Sequence, residues 1–198
     1  MRRTIAQAAT VLGVLIAGGA LGATLSGCAA RDPYVTGSDG AMRVGGWRIE
    51  RGEDRVTGLP ISSSALPASV TTSTQHLIAR NALLQLLCFQ NAPVVRIAFN
   101  DRVGSNRNSM LGYRFDDRPG KEAEARFLRD YKTVVIEDPD EVAAFAEAVT
   151  SARQLYVRIR SLNNPRTSAE FTLAGGAEAV KAAYAGCPVK QTAKRAGG

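Results

Sequence analysis

Apolar and polar residues alternate along much of the middle of this chain, and elsewhere recur at helical spacing. Trp47-Arg48-Ile49-Glu50-Arg51 follows period two, as a strand with one buried face does. Residues 61–74 are rich in β-branched and small residues. Pro67 marks an edge or a bulge there, because proline brings no N–H to a ladder. Residues 83–89 and 94–99 flank a turn written Phe89-Gln90-Asn91-Ala92-Pro93 and read as a hairpin. A polar loop at 100–108 leads to a strand at 110–115. Residues 156–160 and 167–173 make a second alternating hairpin around Asn163-Asn164-Pro165-Arg166.

Two segments change period. Asp138-Pro139-Asp140-Glu141 opens a helix with Asp at N-cap, Pro at N1 and Glu at N3. Val142, Phe145, Ala146 and Val149 follow as one apolar face. A second helix is expected from about Gly176 to Gly186, with Val180, Ala183, Tyr184 and Cys187 on its buried face and Pro188 as its stop. Roughly eight short strands and two helices predict an α+β domain. It is mainly antiparallel and sandwich-like, with two packed helices, one of them C-terminal.

The start of the chain has another pattern. Arg2 and Arg3 form a short positive region, residues 5–25 are apolar and small, and Leu25-Ser26-Gly27-Cys28 closes the run. This reads as a secretory signal ending in the lipobox of bacterial lipoproteins, which predicts lipidation at Cys28; the alternative is an uncleaved transmembrane anchor, a helix that Gly13, Gly18, Gly19 and Gly22 weaken. Ala29, where an Asp would favour inner-membrane retention, directs the protein to the outer membrane, facing the periplasm. The expected organisation is a lipoprotein signal peptide (1–27), lipidated Cys28 with a flexible tether (28–46), one α+β domain (47–189) and a disordered basic tail (190–198). The membrane, reached through the N-terminal lipid, is the first expected partner.

Export sets the redox context. With Cys28 used by lipid, Cys88 and Cys187 remain, and two cysteines in an oxidising compartment are expected to pair. The bond would staple the C-terminal helix to the central strand.

Composition narrows the classes. A hydrophobic fraction of 45% and a charged fraction of 22% exclude a wholly disordered chain, a collagen-like fibre and a multi-span membrane protein. The formal charge is +7, but removing the five basic residues of leader and tail leaves +2 for the rest. No Lys/Arg run interleaves with aromatics, so no nucleic acid partner is expected. His76 is the one histidine and reads as a surface or turn residue. No phosphate loop, dinucleotide glycine fingerprint, nucleophile elbow or zinc-protease motif is present. No catalytic set, metal or cofactor is predicted. Asp138, Asp140 and Glu141 read as caps, Asp116-Asp117 as turn residues, and Gly175-Gly176 as at most a weak anion nest.

The arginines on strands carry more. Arg158 and Arg160 share a face with Tyr156, Arg96 lies between Val95 and Ile97, and Arg114 between Tyr113 and Phe115. If the strands are neighbours, up to four guanidinium groups crowd one sheet face and can bind carboxylate or phosphate in a bidentate manner. Ion pairing with residues such as Glu170 and Asp116 is the alternative.

Trp47 opening a strand, Leu86-Leu87-Cys88 closing another, the hairpin partner 91–99, Tyr113-Arg114-Phe115-Asp116, Phe171-Thr172-Leu173-Ala174-Gly175 and the final Cys187 form an ordered set. This set resembles the VasI/TagO-like accessory proteins associated with type VI secretion, and the exported proteobacterial proteins of unknown function that share their domain. The resemblance implies a non-enzymatic adaptor or accessory of an envelope or secretion complex, with a protein partner and no catalytic residues. The alternative is a periplasmic binder of an anionic ligand or cell-wall component through Arg96, Arg114, Arg158 and Arg160.

Overall fold

A computed structural model describes residues 35–36, 41–74, 81–105, 108–162 and 166–187. The leader with Cys28, His76, the 163–165 turn and the basic tail lie outside the described residues. The first strands are β1 (Val35–Thr36), β2 (Met42–Val44), β3 (Trp47–Asp54), β4 (Pro60–Pro67), β5 (Val70–Ser73), β6 (Ala82–Phe89) and β7 (Ala92–Phe99). There follow β8 (Ser109–Phe115), β9 (Lys121–Ala123), β10 (Arg126–Phe127), β11 (Thr133–Ile136), helix α1 (Pro139–Ser151), β12 (Gln154–Ser161), β13 (Thr167–Thr172) and helix α2 (Gly176–Ala183). Among the described residues these strands form an eight-stranded sheet, ordered β1-β3-β4-β6-β7-β11-β10 with β2 also on β3, and a five-stranded sheet ordered β5-β13-β12-β8-β9. Each pairing is antiparallel. The fold class is α+β, sheet-dominated, as the periodicity predicts.

The chain changes sheets at Pro67. β4 ends there, and the Ser69 N–H donates to the Glu170 carbonyl at 2.8 Å, handing the chain to the second sheet. The β6–β7 turn is tighter than expected. Gln90 and Asn91 take φ of 49° and 62°, so two left-handed residues make the whole turn and Ala92 and Pro93 enter the strand. Pro93 lies beyond the 95–98 stretch that β11 pairs, where a missing N–H is tolerated.

Three parts escaped the sequence reading. Val103, inside the expected polar loop, is fully buried, and its N–H donates to the Tyr131 carbonyl at 2.9 Å. β9 to β11 had no counterpart; every residue of β11 (TVVI) is buried, so it shows no alternation. Paired backbone also begins ahead of Trp47, since β1 and β2 both pair with β3 inside the stretch expected as a tether.

The inward faces meet in one core. Trp47, Leu84, Leu86 and Ile97 come from the first sheet, and Leu111, Leu155, Ile159 and Phe171 from the second. Phe145 of α1 stacks edge-on against Tyr113 and Phe115, with centroids at 5.1 Å in each case. α2 packs on β4, where the Ser64 hydroxyl donates to the Ala179 carbonyl at 2.8 Å and the Ser62 hydroxyl reaches the Ala182 and Ala183 carbonyls. Its buried face is Ala179, Ala182 and Ala183, with Val180 only partly covered, so small residues and not valine set the approach.

Two glycines permit a close backbone contact. A Cβ on Gly45 (φ +58°) would lie 2.0 Å from the Ala174 carbonyl oxygen, and one on Gly175 (φ +86°) 2.6 Å from that of Val44. The β2–β3 turn therefore packs against the Gly175-Gly176 opening, which reads in sequence as at most a weak anion nest. Cys88, next to last in β6, forms a disulfide with Cys187, with Cα atoms 5.7 Å apart. The Tyr184 hydroxyl donates to the Val94 carbonyl at 3.0 Å beside it.

Candidate functional site

The outward face of the five-stranded sheet gathers three of the four predicted arginines. β12 lies between β8 and β13, and its register sets Tyr156 opposite Arg114 and Glu170, Arg158 opposite Gly112 and Ser168, and Arg160 opposite Met110. Strand alternation sends all these side chains to one side. The Arg114 guanidinium lies over the Tyr156 ring, 4.8 Å from its centroid. Arg160 forms an ion pair with Glu122 of β9 and reaches the Met110 sulfur at 4.0 Å. Asp116 is not its partner. The Asp116 Oδ1 instead accepts from the Arg153 and Gln154 N–H groups, holding the turn between β8 and β9 onto β12.

Arg158 differs from its neighbours. It is exposed, and among the described residues it has neither an ion-pair nor a hydrogen-bond partner. Gly112 beneath it carries no side chain, so the guanidinium reaches over bare backbone; a Cβ there would lie 3.8 Å from Nη2. The result is an open concavity of about 590 Å³, lined chiefly by Gly112, Arg114, Tyr156, Arg158, Ser168 and Glu170. That volume lies in the range of small-molecule sites, roughly 300–1,000 Å³. Its walls carry both charges, Arg114, Lys121 and Arg158 with Glu122 and Glu170, and Tyr156 offers a ring face and a hydroxyl.

Arg96 does not belong to this face. It lies on β7 of the other sheet, paired between Gln85 and Val135. Its Nε is buried without a hydrogen-bond partner among the described residues. Its charge acts on Asp130. Desolvation works to raise that carboxyl, but the Thr133 hydroxyl, the N–H groups of Lys132 and Thr133 and the Arg96 charge outweigh it and hold it below the ordinary carboxylate range. The expectation of four arginines on one face is thus corrected to three. Period two fixes a face within a strand but not the sheet the strand joins.

At the edge of the concavity α1 is tied to the second sheet. Glu141 accepts from the Tyr113 hydroxyl on one carboxylate oxygen and from Lys121 Nζ at 2.8 Å on the other. Burial pushes the Tyr113 phenol far above its ordinary value, and the hydrogen bond and charge of Glu141 add to this. A phenol so held keeps its proton at neutral pH, so this trio is a clasp. Asp138 caps α1 by accepting from the N–H groups of Asp140 and Glu141 at 3.1 and 2.8 Å. Glu141 is therefore more than the N3 cap the sequence suggested.

Sequence reasoning reached Arg114, Tyr156, Arg158 and Arg160 but missed Gly112, Ser168 and Glu122. One signal was available: a glycine inside an otherwise strong strand, Met110-Leu111-Gly112-Tyr113, marks a place for close approach. Among the described residues no three His, Cys, Asp or Glu side chains converge as metal ligands, and no helix is long and apolar enough to cross a membrane. Comparison with protein-family models, curated proteins and solved structures finds no match.

Proposed function

We propose that this is a lipid-anchored cell-envelope protein that acts by binding, not by catalysis, and that the Arg158 concavity holds a carboxylate or phosphate group of its ligand, a cell-wall component. One observation carries the reading: an unpaired guanidinium stands over a glycine floor while the arginines on either side are engaged by Tyr156 and Glu122. A free planar fork is suited to bidentate capture of an anion. Anchoring comes from the lipobox at Cys28, which would keep the domain at the envelope.

A second reading has its own support. The concavity is open and continues onto an exposed sheet face, which suits an acidic segment of a protein partner, and the resemblance to type VI secretion accessory proteins points to an adaptor of that kind. Binding of purified peptidoglycan sacculi and of a glutamate-rich peptide separates the two. Arg158→Ala should weaken whichever is bound by roughly ten-fold or more, as expected for loss of charge-assisted hydrogen bonds. Binding should also fall with salt. Unchanged binding in Arg158→Ala would overturn the site.

A further inference from the structure

One end of the eight-stranded sheet collects three unrelated features. The β3–β4 turn exposes Val56 (79%) and Leu59 (63%), and β6 ends in Phe89 (58%). The pairings Glu53 with Pro60, Ser63 with Leu87 and Phe89 with Ala92 put both turns at the same end. The chain also enters here, because Val35 of β1 pairs with Asp54. Seven residue steps separate Cys28 from Val35, a covalent reach of at most ~25 Å. The C-terminal sequence departs here as well, from Cys187 bonded to Cys88 beside Phe89. Residues 188–198 carry Lys190, Lys194 and Arg195 and no acidic side chain.

Single exposed apolar residues are ordinary on a protein surface. Three on adjoining tips, beside the strand that leads to the acylated cysteine and the start of a basic tail, form a pattern. The geometry points to a second membrane contact: this end of the sheet rests on an anionic lipid surface, with Val56, Leu59 and Phe89 entering the headgroup–acyl boundary and the positive charge of the C-terminal sequence adding electrostatic attraction. Its position rests on the lipid-anchor reading; the apolar tips and the tail act apart from the acyl chains. Apolar side chains are buried ~5–10 Å in such an interface, and basic residues are drawn by anionic lipid. Glu53 and Asp54 put two carboxylates at this tip beside Arg55, and the three cations of residues 188–198 outweigh their charge. Asp54 is turned back onto the Val56 and Thr57 N–H groups at 2.7 and 2.9 Å, which shapes the turn and presents Val56 outward. The consequence is orientation: lipid alone tethers the domain, whereas a second contact fixes which end faces the bilayer.

The test uses the full chain, purified from membranes and mixed into vesicles of phosphatidylethanolamine and phosphatidylglycerol with brominated acyl chains. Leu59→Trp reports the tip, and Leu162→Trp, replacing a residue 85% exposed just past β12 of the other sheet, is the control; the native Trp47 is buried and contributes a constant background. Emission from position 59 should fall roughly two-fold through contact with brominated chains, with little change at 162. Joint charge reversal at Lys190, Lys194 and Arg195, or phosphatidylcholine as the only lipid, should reduce that quenching. An unquenched Leu59→Trp, or equal quenching at 59 and 162, overturns the docking. The mass of the N-terminal peptide decides the anchor separately: acyl groups on Cys28 with no quenching leave the anchor and remove the docking, and quenching without acyl groups does the reverse. Quenching replaced by a shift to dimer mass would assign the tips to a second copy.

Discussion

Gly112 and Arg158 form the smallest unit of the account. A Cβ at position 112 would meet nothing closer than 3.6 Å, and the space beyond it is the open concavity, so Gly112→Leu should fold while filling the floor beneath Arg158. Its ligand affinity should fall as in Arg158→Ala, with a thermal midpoint near that of the parent; full affinity would detach the glycine from the site. Tyr113 and Tyr184 yield a prediction in pH. Burial raises both phenols above their ordinary 10.0. A raised folded-state value means that the folded chain keeps protons the unfolded chain loses. The stabilisation is therefore whole below pH 10 and drains as pH rises towards the folded-state values. Stability measured by denaturant from pH 8 to 11 should decline less steeply in Tyr184→Phe than in the parent, and parallel slopes would contradict the assignment.

At the scale of elements, α1 was the most legible part of the chain. Its cap, its N1 proline and its apolar stripe all stand where the sequence put them, because local chemistry alone decides them. Asp138→Ala should cost ~1 kcal/mol through two freed N–H groups. Phe145→Ala should cost ~3–5 kcal/mol, since it empties the ring cluster with Tyr113 and Phe115. Equal losses from the two in chemical denaturation would argue that the ring cluster contributes little. The face that the sequence predicts for α2 is slightly rotated from the one it buries. Alanines give no strong periodic signal, and the contact that orients the helix is made by Ser62 and Ser64, far away in sequence. β11 was illegible for the opposite reason: buried on both sides, it shows no alternation.

Across the whole molecule, pairing between distant segments is what a single sequence hides. Arg96 and Arg114 look alike in their strands, yet they end on different sheets. The Cys88–Cys187 link was legible from the cysteine count together with the expected export, and the fold makes it a staple between β6 and the segment just past α2. A separation of 99 residues corresponds to a loss of up to ~4.7 kcal/mol on opening in the chain-entropy treatment. Cys187→Ser should lower the thermal midpoint under oxidising conditions and leave it insensitive to reductant, whereas a parent already insensitive to reductant would contradict the staple. The central claim is that the second sheet, not the first, holds the anion. It is tested most directly by following the arginine Nε–H resonances of the labelled protein while a glutamate-rich peptide or solubilised peptidoglycan fragments are added. Arg158 should shift most, with Arg114 and Arg160 following and Arg96 unmoved. A saturating shift confined to Arg96, or binding that leaves Arg158 in place, would contradict the account.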